Sequence, residues 1–131
     1  MAAGARRCAR PRRRLKEPEP MQIEQSSHGA VTVLKPRGSI ALDEADTFKA
    51  TLLDSVRIAM GRCVVDLSAT GFIDSRGLEA LVDVGEELSS RGQSLRICGI
   101  SSTIAEVFEL TGVAPHLDRY DSVQSAVRSF L

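Results

Sequence analysis

The stretch Val64–Leu81, VVDLSATGFIDSRGLEAL, decides how this chain folds. Its first residues continue an apolar run that begins at Cys63, ends at Leu67 and is broken only by Asp66. A continuous run of that kind fits a central strand with both faces covered. A short connection follows, and Asp74-Ser75-Arg76-Gly77-Leu78 opens a helix spanning Ser75 to Ser90. Leu78, Leu81, Val82, Gly85 and Leu88 form its inward stripe, and Glu79, Asp83, Glu86 and Glu87 cover the outer side. Gly92 supplies the C-terminal break. The Ser75 hydroxyl therefore stands at the exposed start of a helix, beside the Asp74 carboxylate. A helix start leaves N–H groups without intrahelical partners, and its dipole favours negative charge. It is a good place for a phosphoryl group to come and go.

The pattern extends outward in both directions. Upstream, Met21–Ser26 reads as an edge strand, Ser27-His28-Gly29 as a turn, and Ala30–Leu34 as a second strand ended by Lys35-Pro36-Arg37-Gly38. The two pair as an antiparallel hairpin. Asp43 reads as the N-cap of a helix to Ala59, with Ala45, Phe48, Leu52, Val56 and Ala59 near helical spacing. Downstream, Leu95–Cys98 is a strand ended by Gly99. Ser101 or Ser102 caps a third helix with Ile104, Val107, Phe108 and Leu110 inward, stopped by Thr111-Gly112. Leu117–Tyr120 is a last short strand, and Asp121 caps a final helix carrying Val123, Ala126, Val127 and Phe130. The predicted order is β-β-α-β-α-β-α-β-α. It implies one α/β domain with a mixed, mostly parallel sheet and right-handed crossovers.

Composition narrows the function. The 131 residues bound the chain to one domain with a tail. Residues 1–20 hold seven basic and two acidic side chains, lack periodicity and contain three prolines, so they read as a disordered basic tail. The run Arg12-Arg13-Arg14 lies in this tail with no apolar stretch behind it, which argues against a secretory signal. Met21, where the ordered pattern begins, is an alternative start of translation. Residues 21–131 form the folded domain and carry ten basic against fifteen acidic groups. That acidic body argues against direct nucleic-acid binding. No apolar run approaches the length that spans a bilayer, so no direct membrane insertion is expected.

Cys8, Cys63 and Cys98 are odd in number and lack metal-ligand spacing. Cys63 and Cys98 read as small buried hydrophobes, which fits a reducing cytoplasm. His28 and His116 are far apart, so neither a metal site nor a histidine-based triad is expected. No glycine-rich nucleotide loop is present. Asp74 and Ser75 do not make a catalytic pair, because adjacent residues entering a helix do not point at one another and no histidine completes a relay. No cofactor is expected, and the chain reads as the substrate of a kinase rather than as an enzyme. Phe72 is expected to plug the core beneath the loop, Asp66 to cap the turn after its strand, and Gly77 to permit tight packing of the first helical turn. The inward stripes use most large apolar residues, so a monomer is expected in isolation.

The chain resembles the STAS family, the sulphate transporter and anti-sigma antagonist domains, and most closely its small bacterial anti-sigma factor antagonists. Asp66-Leu67 followed by Phe72-Ile73-Asp74-Ser75-Arg76-Gly77-Leu78 carries the resemblance. Gly38 with Leu42-Asp43, the segment Leu95–Ser101, and Val107-Phe108-Glu109-Leu110-Thr111-Gly112-Val113 support it. The resemblance implies that Ser75 is the phosphorylation site. It also implies a partner-binding surface of Asp43, Asp74, Ser75, Arg76, Gly77 and Leu78. The implied partners are an anti-sigma factor with GHKL-type serine kinase activity and a PP2C-type phosphatase. Only the unphosphorylated form would bind the anti-sigma factor and so release a sigma factor. Arg76 departs from the usual Ser or Thr of the family; it removes a second hydroxyl and adds a cation. Other STAS relatives are unphosphorylated adaptors in assemblies such as ABC-type lipid-transport systems, which is the alternative reading.

Overall fold

The computed structural model describes residues 21–112 and 117–130. The basic tail with Cys8 and Arg12–Arg14, and residues 113–116 with His116, lie outside them. The described residues form strands β1 (Gln22–His28), β2 (Val31–Ile40), β3 (Cys63–Asp66), β4 (Thr70–Ile73), β5 (Leu95–Cys98) and β6 (Leu117–Tyr120). They also form helices α1 (Asp43–Ile58), α2 (Ser75–Ser89), α3 (Ser102–Thr111) and α4 (Val123–Arg128). This is a single α/β domain on a mixed sheet. Strand order is β1-β2-β3-β5-β6; β1 is antiparallel to β2 and the other pairings are parallel.

One strand was not expected. Thr70–Ile73 pairs in parallel with Gly38–Ile40, so β3 and β4 run successively along one side of a long β2. Four residues containing a glycine carry too little alternation to read as a strand. What holds them is tertiary: the buried Thr70 hydroxyl donates to the Pro36 carbonyl at 2.9 Å, and the Gly38 N–H donates to the Ala69 carbonyl at 3.1 Å. The same pairing carries β2 through Pro36 to Ile40, past the expected stop at Leu34. β1 likewise continues through Ser27 and His28, and the turn falls on Gly29–Ala30.

The main core lies between the sheet and α1–α3. Phe48, Leu52 and Val56 of α1 and Leu81, Val84 and Leu88 of α2 meet Leu34, Val65 and Ile97 of the sheet. On the other face α4 covers a smaller cluster of Val31, Val33, Val64, Cys98 and Ala126. Alternation along β3 makes this division: Val64 faces α4 and Val65 faces α1–α3.

The helix starts match expectation at α3 and differ from it at α1 and α4. Asp43 is the first residue of α1, not its cap; the cap position is Leu42, which offers no side-chain acceptor. The acidic first turn, Asp43, Glu44 and Asp46, complements the dipole instead. Ser101 caps α3 through its hydroxyl, which accepts from Ile104 N–H at 3.2 Å. Ser122, rather than Asp121, caps α4 and accepts from Ser125 N–H at 3.1 Å. Leu110, expected inward, is 80% exposed on the outer side of α3.

Candidate functional site

The C-terminal ends of β2 and β4 and the starts of α1 and α2 converge on Asp74. Its backbone is extended (φ −92°, ψ −173°), which makes it the N-cap of α2. Oδ1 accepts from Gly77 N–H at 2.9 Å, and Oδ2 accepts from Leu42 N–H at 3.0 Å. The Asp74 N–H donates to the Ile40 carbonyl at 3.2 Å. Partial burial works against ionisation. The N–H groups of Gly77, Leu42 and Arg76, with the Arg76 charge, outweigh it and hold the carboxyl below its ordinary value.

Because Asp74 supplies the cap, Ser75 is left free. It is the first helical residue and is exposed, and among the described residues its hydroxyl has no hydrogen-bond partner. Arg76 is exposed beside it, and its Nη1 comes to 4.0 Å from Oδ1 of the fully exposed Asp43. Asp43, Asp74, Ser75 and Arg76 are thus brought together at one end of the domain. Gly77 and Leu78 lie beneath them and are buried. A Cβ on Gly77 would stand 2.5 Å from the Ile40 carbonyl oxygen and 2.7 Å from Ile73 Cγ2, so only glycine lets α2 start this close to β2.

Two features escaped the sequence reading. Leu42 holds φ +54° with ψ −127°, a conformation that leucine rarely adopts, and is 67% exposed. Its signal was faint: Leu42-Asp43 follows the strand as an ordinary lead-in. Phe72, expected in the core, is 55% exposed on the short β4. Beside Ser75, the α2 residues Leu78, Glu79, Val82 and Asp83 and the α3 residue Thr111 line an open groove of about 360 Å³.

Other chemistry is sparse. Burial pushes the Cys63 thiol up to about 11; burial and the nearby Asp66 charge push Cys98 to about 11 as well. Among the described residues no three His, Cys, Asp or Glu side chains cluster as metal ligands, and no helix is long and apolar enough to cross a membrane.

An α/β domain with its polar cluster at the carboxyl ends of parallel strands narrows the class, and comparison with known proteins names it. The STAS domain family matches residues 22–126, and the chain belongs to that family. An anti-sigma factor antagonist from Mycobacterium paratuberculosis is similar at 22% identity, over 83% of this chain and 92% of that one, with a TM-score of 0.71. The Bacillus cell fate determinant SpoIIAA in its phosphorylated form is similar at 15% identity, over 84% of this chain and all of that one, with a TM-score of 0.63. The murine anion transporter Slc26a9 is similar at 13% identity and a TM-score of 0.66, over 80% of this chain but 18% of the transporter. At these identities the likeness is one of fold. No curated protein matches the sequence.

Proposed function

We propose that the chain is an anti-sigma factor antagonist, a cytoplasmic protein-binding switch set by phosphorylation of Ser75. Unphosphorylated, it engages an anti-sigma factor that is also a GHKL-type serine kinase, and a sigma factor is released. The kinase transfers the γ-phosphoryl group of ATP to Ser75 Oγ, which gives up its proton, and ADP leaves. A PP2C-type phosphatase hydrolyses the ester and restores the binding form. Asp43, Asp74, Ser75 and Arg76 make the surface the partner meets; Gly77 and Leu78 hold it in place.

The observation that carries this reading is the freedom of Ser75. Its hydroxyl is exposed at the first position of α2, while the capping work is done by Asp74. A phosphate there adds nearly two negative charges at a helix start, where the dipole and Arg76 favour them, so the fold tolerates it. A partner docking over the same end must desolvate that charge, and one carrying its own carboxylates is repelled. That a Bacillus protein of this fold exists in a phosphorylated form supports the reading.

The test is calorimetric titration of the cognate anti-sigma factor into unmodified, Ser75→Ala and enzymatically phosphorylated protein. Unmodified and Ser75→Ala forms are expected to bind alike, and the phosphorylated form at least about tenfold more weakly. Equal binding of the phosphorylated form rejects the switch and favours an unphosphorylated adaptor role in a larger assembly.

A further inference from the structure

The sheet face opposite α1–α3 holds a second polar site, built around Asp66. Asp66 is only 7% exposed. Its Oδ1 accepts from Ser68 N–H at 3.0 Å and fixes the turn after β3, as the sequence led one to expect. Among the described residues no donor reaches Oδ2. The carboxylate is also held from behind: Gly99 (φ +70°) approaches so closely that a Cβ there would lie 2.7 Å from Oδ1. Asp66 shares the face of Val64, and so looks toward α4.

A groove of about 370 Å³ opens over it, between the β1–β2 hairpin and α4. Val33 and Val123 give it apolar walls, and Glu24, Ser26, His28, Lys35 and Gln124 give it polar ones. Lys35 follows the registered pair Leu34–Val65, which sets it alongside Asp66 on the neighbouring strand. It is half-buried, and among the described residues it forms no ion pair. Its cross-strand partner Glu24 is hydrogen-bonded by Arg37, and the Lys35 charge acts on that carboxylate only from a distance.

We infer that this groove binds a small zwitterion with the chemistry of a free α-amino acid, its ammonium on Asp66 Oδ2 and its carboxylate on Lys35 Nζ. A carboxylate this buried, with one oxygen lacking a donor among the described residues, is stabilised by a ligand that donates to it. An ammonium group does so with charge assistance. A pure cation would meet Lys35, and a pure anion would meet Asp66 and Glu24; a zwitterion satisfies both. The volume lies at the small end of ligand sites, enough for an amino acid with a short side chain against the two valines. The site is separate from Ser75 and does not depend on the switch.

The test is an amide-resolved NMR titration of the full chain with L-alanine and L-glutamine, and with propionate and ethylamine as single-charge probes. The amino acids are expected to give saturable shifts at Lys35, Asp66, Ser68 and Gln124, with dissociation constants of about 0.01–1 mM. The single-charge probes are expected to bind at least about tenfold more weakly. Asp66→Asn keeps an acceptor for Ser68 and should abolish the shifts; Lys35→Met keeps the aliphatic stem and should abolish them independently. No saturable shift with either amino acid overturns the inference. So does ethylamine binding as tightly as alanine, or shifts that survive in Lys35→Met.

Discussion

The Asp74 carboxylate holds the main chain of Leu42 as well as its own helix. Oδ2 accepts from Leu42 N–H at 3.0 Å just ahead of α1, while Oδ1 caps α2 at Gly77. One side chain therefore fixes the starts of both helices, and it does so where Leu42 sits in a disfavoured conformation. Asp74→Ala removes both bonds at once. It is expected to destabilise the fold by roughly 1–2 kcal/mol, the range of a lost N-cap. Urea denaturation checks this, and a loss below about 0.5 kcal/mol, within ordinary surface variation, would mean that the bridge stabilises nothing.

The same bonds set a pH dependence. Asp74 is held below its ordinary value, so its contribution is fully present above the unfolded carboxylate value. It is lost as pH falls through the depressed folded value. The stability gap between wild type and Asp74→Asn should be constant near neutrality and close on acidification. A gap that widens toward acid would give the shift the wrong sign. Denaturation midpoints of the two proteins across the acid range make the comparison, since other carboxylates titrate in both.

Gly77→Ala tests the close approach of α2 to β2. The added methyl would meet the Ile40 carbonyl, which is backbone and cannot turn aside, as well as Ile73. Overpacking of this kind costs about 1–3 kcal/mol, against the small gain alanine brings to an ordinary helix position. A thermal midpoint equal to wild type would show that the helix start shifts without cost.

Cys63 and Cys98 are expected to resist alkylation in the native protein. Both are buried and both thiols are pushed up to about 11, so little reactive thiolate forms near neutrality. Peptide mass mapping after iodoacetamide treatment, with and without urea, reads each site separately. Modification of either before unfolding would contradict its buried placement.

What the sequence made legible was what local pattern controls. The run Cys63–Leu67, the stripe from Leu78 to Leu88 and the cap at Ser101 belong to neighbours in sequence, and the fold class follows from their alternation. What it hid depends on distant partners. Thr70–Ile73 becomes a strand only because β2 runs on to meet it. Leu42 takes its strained conformation while its N–H bonds a carboxylate 32 residues away. Phe72 and Leu110 match core residues in type but fall on outer faces, which residue identity does not reveal. At the candidate site, the DSRG segment was visible as a helix start. The division of labour within it, Asp74 capping and Ser75 free, needed the geometry.

That division makes a prediction about Ser75 itself. Since its hydroxyl caps nothing, Ser75→Ala should lie within about 0.5 kcal/mol of wild type, well short of the cost of losing a cap. A phosphate on Ser75 meets two opposed influences: the helix dipole and Arg76 attract it, and the Asp74 carboxylate repels it. Arg76 is free to respond, because its contact with Asp43 is long at 4.0 Å and both side chains are exposed. Phosphorylation of the wild type should therefore change stability by less than about 1 kcal/mol. In Arg76→Ala the attraction weakens and the repulsion stays, so phosphorylation should become destabilising. A four-species cycle of wild type and Arg76→Ala, each with and without phosphate, isolates this coupling, expected at about 0.5–1 kcal/mol for an exposed pair. Raising the salt concentration should shrink it, as screening requires. Zero coupling at low salt would mean that Arg76 does not face the phosphoserine.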